Sequence, residues 1–144
     1  MVHQHMHPLT IAGMRKAHNE QPPILVLQDA AQRTLEIEIG LCEMLAIQLA
    51  LDKAAAGGRP LTHDLLLSIA EHLEAEIARL LIDDVSRGTY YARLILATSE
   101  GEISLDCRPS DGIALALRAN APILAAENVM QGDDDAASPQ SDAP

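Results

Sequence analysis

Aromatic side chains are almost missing from this sequence, which has no Phe, no Trp and only Tyr90 and Tyr91. Proteins that grip single-stranded nucleic acid by stacking need rows of aromatic faces, so a surface of that kind has nothing to build with here. Basic charge is scarce as well: 10 Lys and Arg stand against 21 Asp and Glu, for a formal net charge of −11. Four of the acids follow Met130, which leaves −7 over the first 130 residues. Lys and Arg on phosphates supply most non-specific polyanion affinity, so composition argues against a long nucleic acid held without help. The two cysteines, Cys42 and Cys107, form no CxxC pair. They exclude a disulfide framework, suit a reducing compartment and read as small buried hydrophobes. No apolar run nears the roughly 18 residues of a membrane helix, and no Lys or Arg precedes Arg15, so a signal peptide is not indicated. A soluble, cytoplasmic chain with no membrane partner is expected. A Walker loop, GxSxG, HExxH and a dinucleotide GxGxxG are absent too.

What is present is 144 residues, 48% of them hydrophobic, room for one domain that buries roughly two-thirds of its unfolded surface. Ile24 to Leu27 and the alternating Leu35 to Ile39 read as a β-hairpin. Leu41, Met44, Leu45, Ile47 and Leu51 recur at helical spacing until Gly57, Gly58 and Pro60. A second helix starts at Thr62 as N-cap, stacks Leu65, Ile69 and Leu73 on one face and ends near Glu74. Strands follow at Ile77 to Ile82, Thr89 to Thr98 and Glu102 to Cys107, the last with Ile103, Leu105 and Cys107 facing the core. Asp83-Asp84 reads as a strand end. Ser110 caps a helix from Asp111 to Arg118, Asn120 and Pro122 stop it, and Ile123 to Ala126 forms a final strand. This order does not alternate as a doubly wound fold would. The expectation is a single compact α+β domain, with a mixed or antiparallel sheet and about three helices, over residues 21–130. Residues 1–20 are expected to be poorly defined, and 131–144 a disordered acidic tail.

Chemistry concentrates at Asp106-Cys107-Arg108-Pro109-Ser110-Asp111, two carboxylates and a guanidinium between a strand end and a helix N-terminus. Arg108 there could clamp a phosphate, and Asp106 and Asp111 could hold a hard cation such as Mg²⁺ or Mn²⁺. The same residues also read as a helix cap and an ion pair. Thr62-His63-Asp64 repeats the arrangement with a possible general base, His63, beside a carboxylate, and Glu43 lies near the start of the first helix. His3, His5 and His7 alternate and would share one side of an extended chain, where they could chelate a transition metal.

The run Asp106 to Arg118 (DCRPSDGIALALR), followed by Ala121-Pro122-Ile123, resembles the signature of the bifunctional nuclease domain family. Ile39-Gly40 with Glu43, Pro60 to Leu65 and Gly88 to Ala92 resemble its other landmarks, in order, across residues 24–130. The resemblance implies a compact, oligomer-forming α+β domain that cleaves DNA or RNA with a divalent metal. The polar residues at matching positions are Glu43, His63, Asp64, Asp106, Arg108, Ser110, Asp111 and Arg118. Gly112 departs from the pattern, which usually has Ala there. The reading that follows is a nuclease. A cation held by some of Asp106, Asp111, Asp64 and Glu43 activates water, and His63 moves a proton. Arg108, Ser110 and Arg118 bind a short or single-stranded nucleic acid. The rivals are a non-catalytic oligomeric module using the same residues as caps and ion pairs, and a small anion held at the Ser110 helix terminus without metal.

Overall fold

The computed structural model describes residues 5–16, 18–52 and 57–132. Its elements run β1 (Met6–Arg15), β2 (Ile24–Gln28), β3 (Thr34–Glu38), α1 (Leu41–Leu51), α2 (Thr62–His72), β4 (Glu76–Ser86), β5 (Thr89–Thr98), β6 (Gly101–Cys107), α3 (Pro109–Ala119), β7 (Ile123–Ala126) and α4 (Glu127–Gln131). The strands form one mixed sheet in the order β3-β2-β1-β7-β4-β5-β6, and only β4 and β7 run parallel. The fold is α+β. Period-2 alternation puts Leu25, Leu27, Leu35 and Ile37 of the hairpin into the core, where they meet Leu80, Ile82 and Ile113.

α3 packs against β4 and β5 and is flanked by α1 and α2. Gly112 permits its close approach to the sheet. A Cβ built there would lie 2.3 Å from Leu80 Cδ1, a fully buried side chain, and 3.1 Å from Cys107 Sγ. The helix ends as its sequence predicts: Asn120 takes the left-handed conformation (φ 55°), and the Ala121 N–H donates to the Ala116 carbonyl at 2.9 Å.

Several expectations need correction. The body of the fold begins before residue 21, because β1 pairs with both β2 and β7 in the middle of the sheet. The run after Glu76 does not stop at Ile82. β4 continues to Ser86 through a register shift between Ile82 and Asp84, and Asp83 pairs with Arg93 at 2.7 Å. The N-cap of α2 is Leu61, not Thr62, and the N-cap of α3 is Arg108, not Ser110, with Pro109 at the first helical position. Leu65, Ile69 and Leu73 of α2 are each at least 48% exposed, so the stripe they form is not buried. Ile103 and Leu105 of β6 lie opposite Leu96 and Leu94, on the core side of the sheet as expected, but at its edge they stay 47% and 44% exposed. Cys42 is exposed and Cys107 half-buried. The short α4 makes a fourth helix among the described residues. The expected tail lies, from residue 133, outside the described residues.

Candidate functional site

Three chain segments meet where β6 gives way to α3. Arg108 is extended (φ −71°, ψ 144°), and Pro109 sets the first turn of α3, so Asp111 stands one turn in and beside the start of α2. Asp111 Oδ1 lies 2.9 Å from His63 Nε2, and its Oδ2 lies 2.9 Å from Arg108 Nε. The Arg108 Nη2 reaches Oδ2 at 2.9 Å and Glu43 Oε1, on α1, at 3.1 Å. An ionised carboxylate only accepts, so His63 Nε2 carries the proton it donates to Asp111, and Nδ1 is left as the basic nitrogen of the neutral ring. Burial pushes the Asp111 carboxyl up, but the hydrogen bonds from His63 and Arg108 outweigh it and leave the group below its ordinary value. Cys107, one residue before Arg108, is pushed up to about 11 by burial and then by Asp111 and Asp106, so it stays a thiol.

Glu43, His63, Asp106, Arg108 and Asp111 all line one cavity of about 670 Å³. The rest of its wall is largely apolar, with Leu45, Leu66, Leu105 and Leu115 among the lining residues. Asp106 is exposed and its carboxylate makes no hydrogen bond among the described residues. Asp64 and Arg118 stand apart from this group. Asp64 Oδ2 accepts the Leu61 N–H at 2.8 Å and Oδ1 accepts Arg118 Nε at 2.7 Å, while Arg118 Nη1 donates to the Ala114 carbonyl at 2.9 Å. The Leu61 N–H first and Arg118 second hold the Asp64 carboxyl below its ordinary value. Together they tie the start of α2 to α3. Ser110 is buried, on neither end of an ion pair.

Among the described residues no group of three or more His, Cys, Asp and Glu has an arrangement that could hold a metal ion. Of the four carboxylates singled out in the sequence, Glu43, Asp106 and Asp111 share the cavity, but Glu43 and Asp111 are both engaged by Arg108, and Asp64 stands apart on Leu61 and Arg118. As arranged, the donor set does not fit a divalent cation. His3 lies outside the described residues, the rings of His5 and His7 meet edge-on at 4.5 Å, and His7 Nε2 is engaged 2.5 Å from Glu127 Oε1.

That last contact belongs to a polar network that local sequence reading missed. Glu127 accepts Arg33 Nη1 at 2.9 Å and Nη2 at 3.1 Å, and Arg33 Nε reaches the buried Asp29 at 2.8 Å. It joins β1, the β2–β3 turn and α4. The only local signal was Asp29 and Arg33 four residues apart across that turn.

Residues 25–137 match the family model described as the bifunctional nuclease domain, and the chain belongs to that family. Two proteins of Mycobacterium tuberculosis, from strain CDC 1551 / Oshkosh and strain ATCC 25618 / H37Rv, are each 36% identical to it over 126 residues. The similarity covers 87% of this chain and 74% of each of them, and both are named only as uncharacterized proteins. Among the described residues no helix is long and apolar enough to cross a membrane.

Proposed function

We propose that this chain hydrolyses phosphodiester bonds of short or single-stranded DNA or RNA in the cavity shared by His63, Asp111 and Arg108. The observation that carries the reading is Asp111 bonded to a histidine on one oxygen and an arginine on the other. Asp111 fixes the His63 tautomer and stabilises the imidazolium that forms when Nδ1 takes a proton from attacking water; the imidazolium gives that proton back to the leaving oxygen as its bond to phosphorus breaks. The Arg108 side chain is 66% exposed, so a phosphate can compete for its donors and have its developing charge balanced there. The excess of acid over the folded part repels a long polyanion, which is why short or single strands are proposed. A Mg²⁺ or Mn²⁺ ion would need Arg108 to leave Glu43 and Asp111 before those carboxylates and Asp106 could serve it.

Labelled single-stranded DNA and RNA, incubated with highly purified protein in EDTA, Mg²⁺ or Mn²⁺, test this reading. Cleavage is expected from the wild-type protein and not from His63→Ala. Traces of equal size in both proteins would mark a contaminant and remove the proposal. Comparison of the EDTA and metal arms decides whether a divalent ion is needed.

One observation favours a second reading, a non-catalytic oligomeric module: Leu65, Ile69 and Leu73 of α2 and Ile103 and Leu105 of the edge strand β6 leave apolar surface that a second copy of the chain would cover.

A further inference from the structure

β6 is an edge of the sheet, so the outer row of its N–H and C=O groups faces no strand among the described residues. α3 packs on β4 and β5, and the core-side residues of β6, Ile103 and Leu105, are left 47% and 44% exposed. Leu105 also lines the cavity of about 670 Å³, together with Leu45 of α1 and Leu61 and Leu66 at the start of α2, each at least 38% exposed. Ile69 and Leu73 follow Leu66 at helical spacing, 48% and 75% exposed. One apolar surface therefore runs from β6 across the mouth of the cavity and along α2. A face of this kind marks a site of association.

The pattern along β6 selects what covers it, because the strand is complementary to itself. In a two-fold antiparallel pairing centred on Leu105, Leu105 meets Leu105 and Ile103 meets Cys107 on the core side. On the other side Ser104 stands opposite Asp106, and Glu102 opposite Arg108. The Asp106 carboxylate has no hydrogen bond among the described residues, and a serine hydroxyl across the seam can donate to it. Glu102 and Arg108 are 53% and 66% exposed, and Arg108 Nη1 has no partner among the described residues, so both have capacity left. The other edge of the sheet lacks this property. β3 exposes Thr34, Glu36 and Glu38, and pairing it with itself about Glu36 or Ile37 sets glutamate against glutamate.

We infer that β6 pairs antiparallel with β6 of a second copy, Leu105 against Leu105, so that the sheet continues across a two-fold axis and each copy's Leu105 joins the wall of the other's cavity. The inference rests on the oligomeric reading and goes beyond it by fixing the strand, the occupant and the register. It places the cavity of His63, Asp111 and Arg108 beside the seam, where a second copy completes its apolar wall.

Disulfide trapping in the full chain tests the register. Cys42→Ser removes the exposed thiol, and in that background Leu105→Cys is expected to link to its own copy on mild oxidation. Ile103→Cys is expected to link to Cys107 of the second copy, whereas Thr34→Cys on β3 stays unlinked. Non-reducing electrophoresis reads all three. Glu102→Lys sets like charges opposite each other at both ends of the pairing and should weaken the dimer about tenfold, followed by light scattering over a dilution series. A chain that is monomeric at about 100 μM overturns the pairing and the oligomeric reading together. An oligomer that links at neither position 105 nor position 103 overturns the pairing alone. Trapping is read without substrate, so a linked dimer that cleaves nothing keeps the pairing and removes the phosphodiesterase.

Discussion

Glu127 is held down from its ordinary 4.5 to about 2, by the hydrogen bonds of Arg33 first and with help from His7, against a burial effect in the other direction. Asp64 and Asp111 are shifted the same way. A carboxyl whose folded value lies below its unfolded one stabilises the fold above the unfolded value, and that contribution is lost as pH falls through the folded value. Thermal melts should therefore be flat near neutral pH and fall between about pH 4.5 and pH 2. Arg33→Met should lower the Tm at neutral pH and flatten the acid slope; an unchanged acid profile would show that the Arg33 network contributes nothing. At this scale the sequence was half legible. His63, Arg108 and Asp111 stood out because each lies at a helix start beside other polar residues. The Glu127 network did not, because its partners lie 94 and 120 positions away. Asp64 looked like a metal ligand until its neighbours were known. The Leu61 N–H and Arg118 take both its oxygens.

At the scale of elements, periodicity marks a helix or strand and its apolar face, but not whether anything covers that face. The stripe Leu65, Ile69 and Leu73 was visible in the sequence and is real, yet α2 has no buried residue. β1 was hidden for a different reason: Pro8 lacks the N–H that a central strand uses, and Gly13 follows a register shift. Gly112 carries a prediction here. Alanine would gain up to about 1 kcal/mol of helix propensity, but its methyl would press on fully buried Leu80. Overpacking of this kind costs about 1–3 kcal/mol, so Gly112→Ala should be net destabilising in urea denaturation. A more stable Gly112→Ala protein would show that Leu80 yields and that α3 is not held close by this glycine.

For the molecule as a whole, the α+β class followed from the order of elements, whereas strand order did not, since β1 meets β7 from the far end of the chain. The exposed apolar face is a property of this scale. β6 is an edge strand, and antiparallel pairing with a second β6 that sets Leu105 opposite Leu105 would place Glu102 opposite Arg108, a favourable charge match. Light scattering behind size exclusion should then show an oligomer, and Leu105→Glu should shift it toward the monomer. A wild-type protein that is monomeric at about 100 μM would contradict this use of the face, since stable assemblies bind more tightly than that.

The central claim is that the Asp111 contacts serve chemistry and not only the fold, and Asp111→Asn tests it most directly. Asparagine keeps the size of the side chain but removes the charge that stabilises a protonated His63. Cleavage of a labelled single-stranded oligonucleotide should fall about 100-fold or more, the scale of losing general base assistance, while the variant remains folded. A folded Asp111→Asn protein that cleaves as fast as the wild type would contradict the account.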